Sequence, residues 1–310
     1  MGLSTIHPST PLVSGLITAL AFMAGATAFE LGRTSAAAET PVAETPTTVA
    51  AIETLMPVTT ALSTIVTEQD PRPVVALVID DAGVDPTLTR RAMALNIPLT
   101  MSFLPYAAET PTLAVEAKGV GHDVFLHMPM EPNGLENPGP GALTRYLSAD
   151  EMARRVNLAL SRVPGAIGLN NHMGSAFTAD ASAMRNALSS LAGSDLIFLD
   201  SLTSGRSRAG AVARDLGLRT LRRDIFIDHD AGAVSAMLDS LVRDAQQNGH
   251  AIAIGHPRIG SLEALEHWLR SDTAQSVRFV TMQDYVGLLD QPGEVAAASN
   301  ETMGLFGGAE

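Results

Sequence analysis

Short apolar segments alternate with helical patterns along residues 72–290, and this alternation constrains the fold more than any other feature of the chain. The apolar segments are rich in β-branched residues, as expected of buried strands. They lie at 74–79, 97–103, 122–127, 166–169, 196–199, 223–227, 251–254 and 277–280. Because strands that alternate with helices form parallel sheets covered by helices, the sequence predicts an α/β fold, either an open doubly wound sheet or a barrel.

Helix boundary signals support this interpretation. Asp85 before Pro86 predicts the start of one helix, and the capping box from Ser148 to Glu151 predicts the start of another. Gly249 predicts the end of a third. The first strand is followed by two carboxylates and a single glycine, so the glycine-rich fingerprint of dinucleotide-binding folds is missing.

The N-terminal region differs in composition from this domain. Residues 11–29 carry no charge and are long enough to span a bilayer. Ala26-Thr27-Ala28 is typical of a signal-peptide cleavage site, but no Lys or Arg precedes the apolar segment. Residues 1–33 are therefore predicted to be either a cleaved signal or a retained membrane anchor. In both cases the rest of the chain is exported to the periplasm or cell envelope, anchored in the inner membrane if the segment is retained.

The remaining segments are predicted to be disordered. Residues 34–71 are rich in Ala, Thr, Pro and Glu without periodicity, which indicates a linker. Residues 72–290 form the predicted folded domain, and residues 291–310 form a Gly/Ala-rich tail.

Charge and cysteine content exclude several classes of function. The net charge is −13, and the chain contains a single lysine, Lys118, beside nineteen arginines. Nucleic acids favour clustered basic residues, so no nucleic-acid partner is predicted. The absence of cysteine excludes disulfides, thiolate metal sites and a cysteine nucleophile.

Carboxylate and imidazole groups follow five of the predicted strands. These strand ends read Asp80-Asp81, His127 through Glu131, Asn170-Asn171-His172, Asp200-Ser201 and His256-Pro257. Because the carboxyl ends of parallel strands meet at one edge of a sheet, we expect these groups to converge. Carboxylate and imidazole ligands with open positions suit a catalytic divalent metal, with zinc preferred and nickel, cobalt, iron or manganese also chemically possible.

The adjacent carboxylates Asp80 and Asp81 need a physical explanation, because each disfavours ionisation of the other. A bound cation would neutralise one carboxylate and leave the other as a base. His256, from a distant strand, would then protonate a leaving group. The alternative is that the pair caps the helix that follows Gly83.

Five motifs in order resemble the divergent polysaccharide deacetylase family, a distant branch of the polysaccharide deacetylases. They are VIDDAG, GHDVFLHMPMEP, GLNNHMGS, FLDSLTS and AIAIGHP, within about residues 72 to 290. The resemblance implies a distorted (β/α) barrel and metal-dependent removal of acetyl groups from a carbohydrate.

The resemblance also implies roles for single residues. Asp80 matches the catalytic base, Asp81 and His127 match metal ligands, and His256 matches a histidine that acts as an acid or stabilises the transition state. Asp200 matches a position that orients other site residues. The motif departs from the family where its second metal-binding histidine is replaced by Glu131. We expect His172 to supply the missing imidazole, with Glu131 as an outer partner or extra ligand.

Low aromatic content leaves a second hypothesis open. Sugar-binding clefts stack rings on Trp and Tyr, yet the chain has one Trp and three Tyr, of which Tyr106 and Tyr146 fall on motif loops. The alternative function is a catalytically impaired metal-binding envelope module that binds glycan or a protein partner. A glycosidase with paired carboxylates would leave the histidines unexplained.

Overall fold

A computed structural model describes residues 70–290 of the chain. The strands of this part are β1 (Val74–Ala82), β2 (Thr100–Phe103), β3 (Asp123–Met130), β4 (Gly168–Met173), β5 (Ile197–Asp200), β6 (Arg219–Arg222), β7 (Ile225–Phe226), β8 (His250–Gly255) and β9 (Arg278–Val280).

The helices lie between the strands. They are α1 (Pro86–Met93), α2 (Thr110–Gly119), α3 (Ala149–Ser161), α4 (Ala181–Leu188), α5 (Ala209–Asp215), α6 (Val234–Asn248), α7 (Ile259–Trp268), α8 (Asp272–Gln275) and α9 (Met282–Leu289), with short 3-10 turns at Ser189–Leu191 and Ala231–Ala233. None of the helices in the described residues is long and apolar enough to cross a membrane.

The strands form one parallel sheet that curls into a distorted barrel. Their order is β6-β5-β4-β3-β2-β1-β8-β7, and β9 pairs with the first half of β1. Only two residues separate β6 from β7, and the backbone N–H of Arg223 bonds to Asp200 while that of Asp224 bonds to Ile252. The short segment Arg223–Asp224 thus bonds to β5 near one end of the strand order and to β8 near the other end, which closes the sheet. The distorted barrel is confirmed, and the open doubly wound alternative is excluded.

Two apolar clusters follow from the alternation of side chains along the strands. On β1, Val75, Leu77 and Ile79 face the helices, whereas Val74, Ala76 and Val78 face the interior of the barrel. The interior row is continued on the other strands by Phe125, Ile197, Leu199, Ile252 and Ile254. Side chains from β9 and α9 fill the amino-terminal end of this interior. The carboxyl-terminal end is therefore where polar side chains can lie.

The helix boundary signals are confirmed in detail. Asp85 caps α1 through the N–H groups of Thr87 and Leu88, and Ser148 caps α3. Gly249 ends α6 with φ of 82°, a left-handed conformation that favours glycine. Because Asp85 already caps α1, Asp80 and Asp81 are free of the capping role considered above.

One strand of the structure was not predicted, and several predicted segments lie outside the described residues. Strand β6, Arg219–Arg222, was not predicted because its sequence RTLR lacks an apolar run and two of its residues are exposed. The predicted segments 1–33 and 291–310, and nearly all of 34–71, lie outside the described residues.

Candidate active site

Most residues of the candidate site continue the inward-facing rows of the barrel. Asp80 follows Val74, Ala76 and Val78 in the same alternation, and His127 follows Phe125. The same rule brings further residues to the carboxyl-terminal mouth, namely Ser102, Asn170, His172, Ser201 and His256. Side chains separated by more than 170 positions thus meet because their strands are parallel.

Asp81 belongs to the opposite row and reaches the site through a bulge. The β1–β2 register shifts between Ile79 and Ala82, and Asp81 has φ of 56°. A β-bulge re-aims the side chain that it carries. Adjacent carboxylates can therefore point into one pocket although strict alternation would place them on opposite faces.

Within residues 70–290, three non-glycine residues have a left-handed backbone, and all three line the same pocket. They are Asp81, Met173 and Leu202, with φ of 56°, 53° and 51°. Such conformations cost on the order of 1 kcal/mol or more per residue and cluster at functional sites. Each lies at or within two residues of the carboxyl-terminal end of a strand, so the strain is concentrated where the chain turns and keeps its side chain at the pocket.

Asp81, His127 and His172 form a compact triad. His172 Nδ1 lies 2.9 Å from Asp81 Oδ1 and 3.2 Å from His127 Nε2, and His127 Nε2 lies 3.4 Å from Asp81 Oδ1. No other group of three such side chains close enough to hold a metal was found in residues 70–290. Ligands bound to zinc at tetrahedral angles are about 3.3 Å apart. The spacing of the triad fits a divalent ion.

Asp81 Oδ1 provides a second test of this fit. The oxygen is buried and has no hydrogen-bond partner, because the nearby ring nitrogens are close but not aligned with it as donors. An unsatisfied buried carboxylate oxygen is costly, and coordination of a cation would satisfy it. The donor set and its environment therefore suit a metal.

Asn170 links the triad to Asp80. Its amide nitrogen donates to Asp80 Oδ1 at 2.8 Å and to Ser201 Oγ at 3.0 Å, and its oxygen accepts from Ser102 Oγ and from His127 Nδ1. All four hydrogen-bonding sites of this fully buried amide are used. Because His127 Nδ1 donates to Asn170, the lone pair of His127 Nε2 faces the triad.

The environments of the two carboxyl groups separate their pKa values. Burial raises the pKa of Asp80, although His127, His256 and the bond from Asn170 oppose this effect. Burial would also raise the pKa of Asp81, but His127 and His172 outweigh it and hold that pKa well below its usual range. These environments favour the ionised form of Asp81 and the protonated form of Asp80.

His256 is held by a buried carboxylate. Asp228 Oδ1 accepts from His256 Nδ1 at 3.0 Å, and Asp228 Oδ2 accepts from the His256 backbone N–H and from Ser261 Oγ, both at 2.9 Å. The opposite ring nitrogen, Nε2, faces the triad at 3.7 Å from Asp81 Oδ2. Burial would raise the pKa of Asp228, but the bonds from His256 and Ser261 lower it. This geometry leaves Nε2 available for proton transfer.

Arg223 forms part of the pocket wall beside His256. Its Nε and Nη2 donate to the backbone carbonyls of Ser201 and Leu202, and its guanidinium stacks on Phe226. Phe226 in turn packs edge-on against the His256 ring. Arg223 therefore connects the loop after β5 to the histidine after β8.

The pocket at this mouth has a volume of about 510 Å³, within the range of small-ligand sites. It is lined by Asp80, Asp81, His127, Asn171, His172, Met173, Ser201, Leu202, Thr203, Arg223, Phe226, His229, Ile254, His256 and Arg258. A larger cavity of about 970 Å³ lies at the amino-terminal end beside α9 and contains none of these residues. The chemistry-bearing groups are thus confined to the smaller pocket.

Two predicted site residues are not brought into the pocket. Glu131 forms a bidentate ion pair with Arg145, at 2.9 Å from Oε1 to Nη2, so its carboxylate is already neutralised outside the triad. Asp200 faces away from the barrel interior, because it alternates with the inward Leu199, and its carboxylate accepts from Ser207 Oγ and the Leu202 N–H. Its contacts order the loop after β5.

Several residues of the site received no role from the sequence, among them Asn170, Arg223, Asp228 and His229. Asn170 could have been assigned from the inward alternation of its strand. Asp228 carries no such signal, because its pairing with His256 depends on the contact between the β7 region and β8.

Comparison with known proteins finds similarity over about two thirds of the chain. A family model described as divergent polysaccharide deacetylase matches residues 77–286. An uncharacterized protein of Haemophilus influenzae is 38% identical over 198 residues, which cover 63% of this chain and 71% of that protein. The uncharacterized protein YibQ of Escherichia coli is 32% identical over 193 residues, which cover 62% of this chain and 60% of YibQ. The match therefore spans less than two thirds of YibQ.

A solved structure supports the fold. The crystal structure of the uncharacterized protein ATU2773 from Agrobacterium tumefaciens superposes with a TM-score of 0.65 at 25% sequence identity. The superposition covers 69% of this chain and 89% of that chain.

Proposed function

The chain belongs to the divergent polysaccharide deacetylase family, and from this premise we propose that it is a metal-dependent hydrolase that removes acetyl groups from an envelope polysaccharide or a related glycan. The observation that carries the proposal is the coexistence of three groups in one pocket. A ligand triad, a separate buried carboxylate and a separate imidazole lie together. A site that only binds metal has no need of the last two.

Asp81, His127 and His172 would hold the metal, for which zinc suits the ligand set. A divalent ion bound there supplies Lewis-acid polarisation of the acetyl carbonyl. The three protein ligands come from β1, β3 and β4, which a single sheet fixes relative to one another.

Asp80 acts as the general base in this proposal. Its carboxylate accepts a proton from the attacking water, while Asn170 Nδ2 keeps the carboxylate oriented. The raised pKa of Asp80 makes it a better proton acceptor than an ordinary aspartate.

His256 completes the reaction. Its Nε2 donates a proton to the departing nitrogen or oxygen as the bond to the acetyl carbon breaks, and acetate leaves. Asp228 holds the ring by Nδ1, which fixes Nε2 toward the pocket and stabilises the protonated imidazole.

A second candidate function has a specific observation in its favour. The position that the wider superfamily fills with a second histidine of one motif is Glu131, and Arg145 occupies its carboxylate. A chain that had lost catalysis while keeping its metal would act as an envelope module that binds glycan or a protein partner. The location in the envelope rests on the uncharged segment 11–29 alone.

The test is acetate release by the full chain loaded with zinc. Candidate substrates are N-acetylated and O-acetylated oligosaccharides, including peptidoglycan fragments. We expect release from at least one substrate and its loss in Asp80→Asn, with about one metal ion still bound per chain. General-base removal costs about 10²- to 10⁴-fold in rate.

The outcomes separate the two functions. Metal bound with no acetate released from any substrate would favour the binding module. Loss of metal in Asp80→Asn would show that the roles of Asp80 and Asp81 are reversed.

A further inference from the structure

The charged groups of the pocket are arranged by depth. The carboxylates among its lining residues are Asp80 and Asp81, and both lie at the floor, where Asn170 and the triad histidines contact them. The wall formed by the β7 region and the loop after β8 carries Arg223 and Arg258. The lining residues from β4 and from the loop after β5 include no charged side chain other than the ionisable His172. Above the floor, the fixed charge of the pocket is positive.

Arg258 is weakly engaged by the protein. Its side chain is 60% exposed, and its nearest carboxylate oxygen, Asp228 Oδ2, lies 4.0 Å away. That oxygen already accepts from the His256 N–H and from Ser261 Oγ. The remaining contact of Arg258 is a long bond of 3.4 Å from Nη1 to the Asp228 backbone oxygen. Most of its donors therefore face solvent at the pocket.

Arg223 lies deeper on the same wall. Within residues 70–290, no carboxylate oxygen lies within 4.0 Å of its guanidinium. Nε and Nη2 bond to backbone carbonyls, so Nη1 is the donor without a protein acceptor. Burial lowers the pKa of Arg223, although Asp80, Asp200 and Asp224 oppose this effect from a distance. A charge kept partly buried without an ion pair is costly, and an anionic ligand would offset that cost.

This local charge contrasts with the whole chain, whose net charge is −13. An acidic protein repels anionic polymers in general, and a positive wall is needed to admit one at the site. A neutral acetylated sugar would require no such wall. The arginines are also suited to bind carboxylate or phosphate oxygens through paired N–H groups.

From these observations, and resting on the proposed function, we propose that the ligand of this pocket is an acetylated saccharide that carries an anionic group, which Arg258 and Arg223 bind beside His256. The anionic group is a carboxylate or a phosphate on the sugar that contacts this wall. Its recognition places the scissile acetyl over the triad at the floor. Arg258 is thus a specificity-determining residue, distinct from the groups that carry out the chemistry.

The experiment measures ligand binding, so it does not depend on turnover. The full chain with zinc and the Asp80→Asn substitution, which under the proposed function slows hydrolysis about 10²- to 10⁴-fold, is titrated with three saccharides in a calorimeter. They are the neutral tetramer of N-acetylglucosamine, a tetrasaccharide in which N-acetylglucosamine alternates with glucuronate, and N-acetylglucosamine 6-phosphate. The second and third distinguish carboxylate from phosphate as the recognised anion.

Arg258→Gln tests the assignment, and Arg270→Gln is its matched control. Arg270 is an exposed arginine just beyond the other end of α7, outside the pocket. We expect an anionic saccharide to bind about 10- to 100-fold more tightly than the neutral tetramer, the range of a hydrogen bond to a charged group. Arg258→Gln should remove most of this preference and Arg270→Gln none. Raising the salt concentration should reduce the preference in the Asp80→Asn chain that retains Arg258.

Equal affinity for neutral and anionic saccharides would overturn the inference. A preference for anionic saccharides that survives in Arg258→Gln would also overturn it, as would a failure of all three saccharides to bind. Failure of the proposed function has a different signature. Anionic saccharides would then bind through Arg258, but the chain with Asp80 intact would release no acetate from them.

Discussion

At the scale of single residues, the adjacent carboxylates are the central feature of the site. Asp80 lies in the inward row of β1 and is hydrogen bonded to Asn170, while the bulge turns Asp81 toward two histidines. Burial raises the pKa of both carboxyl groups, but only at Asp81 do the nearby histidines lower the pKa by more than burial raises it. Neighbours in sequence thus acquire opposite protonation tendencies, which is what a ligand and a base require.

Removal of either histidine of the triad should weaken metal binding. We expect His172→Ala and His127→Ala to lower zinc affinity by at least tenfold, because two remaining ligands cannot close the site. Metal content after dialysis and chelator competition measure the effect. His229→Ala is the control, because His229 lines the pocket outside the triad. Retention of full metal content by both triad variants would contradict the ligand assignment.

Two substitutions at Asn170 should affect zinc affinity differently. Asn170→Ala removes the acceptor that orients His127 Nδ1, and we expect it to weaken zinc binding about 10- to 100-fold. Asn170→Asp keeps an acceptor for His127, so its zinc affinity should stay closer to that of the unsubstituted chain. Chelator competition again measures the affinity, and circular dichroism checks folding. Equal losses in the two variants would argue against the orienting role.

At the scale of elements, the barrel brings the site together through close contact of its strands. Gly168 at the start of β4 is an example. A Cβ atom there would lie 2.6 Å from the backbone oxygen of Ile197 and 2.5 Å from the Phe125 ring. The β4–β5 pairing and the interior cluster both require the absence of a side chain at this position. The strand that carries Asn170 and His172 is therefore placed by a glycine.

This contact predicts that Gly168→Ala lowers the free energy of unfolding by about 1–3 kcal/mol, because the backbone of β5 must shift. Gly287→Ala is the matched control, since Gly287 lies in α9 with no atom near the added methyl group. That control should raise the free energy of unfolding by about 0.5–1 kcal/mol through helix propensity. Urea unfolding measures both changes. Equal effects would show that the β4–β5 contact is looser than described.

At the scale of the whole molecule, Asp228 connects the pocket to stability. Because its pKa is lowered on folding, the unfolded chain binds more protons at low pH. Its stabilising contribution is present above the unfolded pKa, about 3.9, and is lost as the pH falls through the lower folded pKa. The difference in unfolding free energy between the native chain and Asp228→Asn should therefore be largest near pH 7 and should shrink below about pH 4. A difference in unfolding free energy that does not vary with pH would show that these contacts do not lower the pKa of Asp228.

Much of the fold could be predicted because its signals are local. Apolar β-branched runs separated by capped helices indicate parallel α/β structure, and the caps at Asp85 and Ser148 occur where the sequence indicates them. Strand β6 could not be predicted, because its four residues pair through the backbone and carry no apolar pattern. Whether the sheet stays open or closes depends on that strand.

The sequence by itself determined which chemical groups stand at the strand ends, since strand periodicity and residue type are properties of short segments. Only the tertiary structure decided which of these groups meet. The bulge at Asp81 aims that carboxylate into the pocket, and an ion pair with Arg145 keeps Glu131 out of the triad. Asp228 reaches His256 through the contact of the β7 region with β8. Each of these outcomes depends on distances between segments far apart in the chain, which local patterns do not encode.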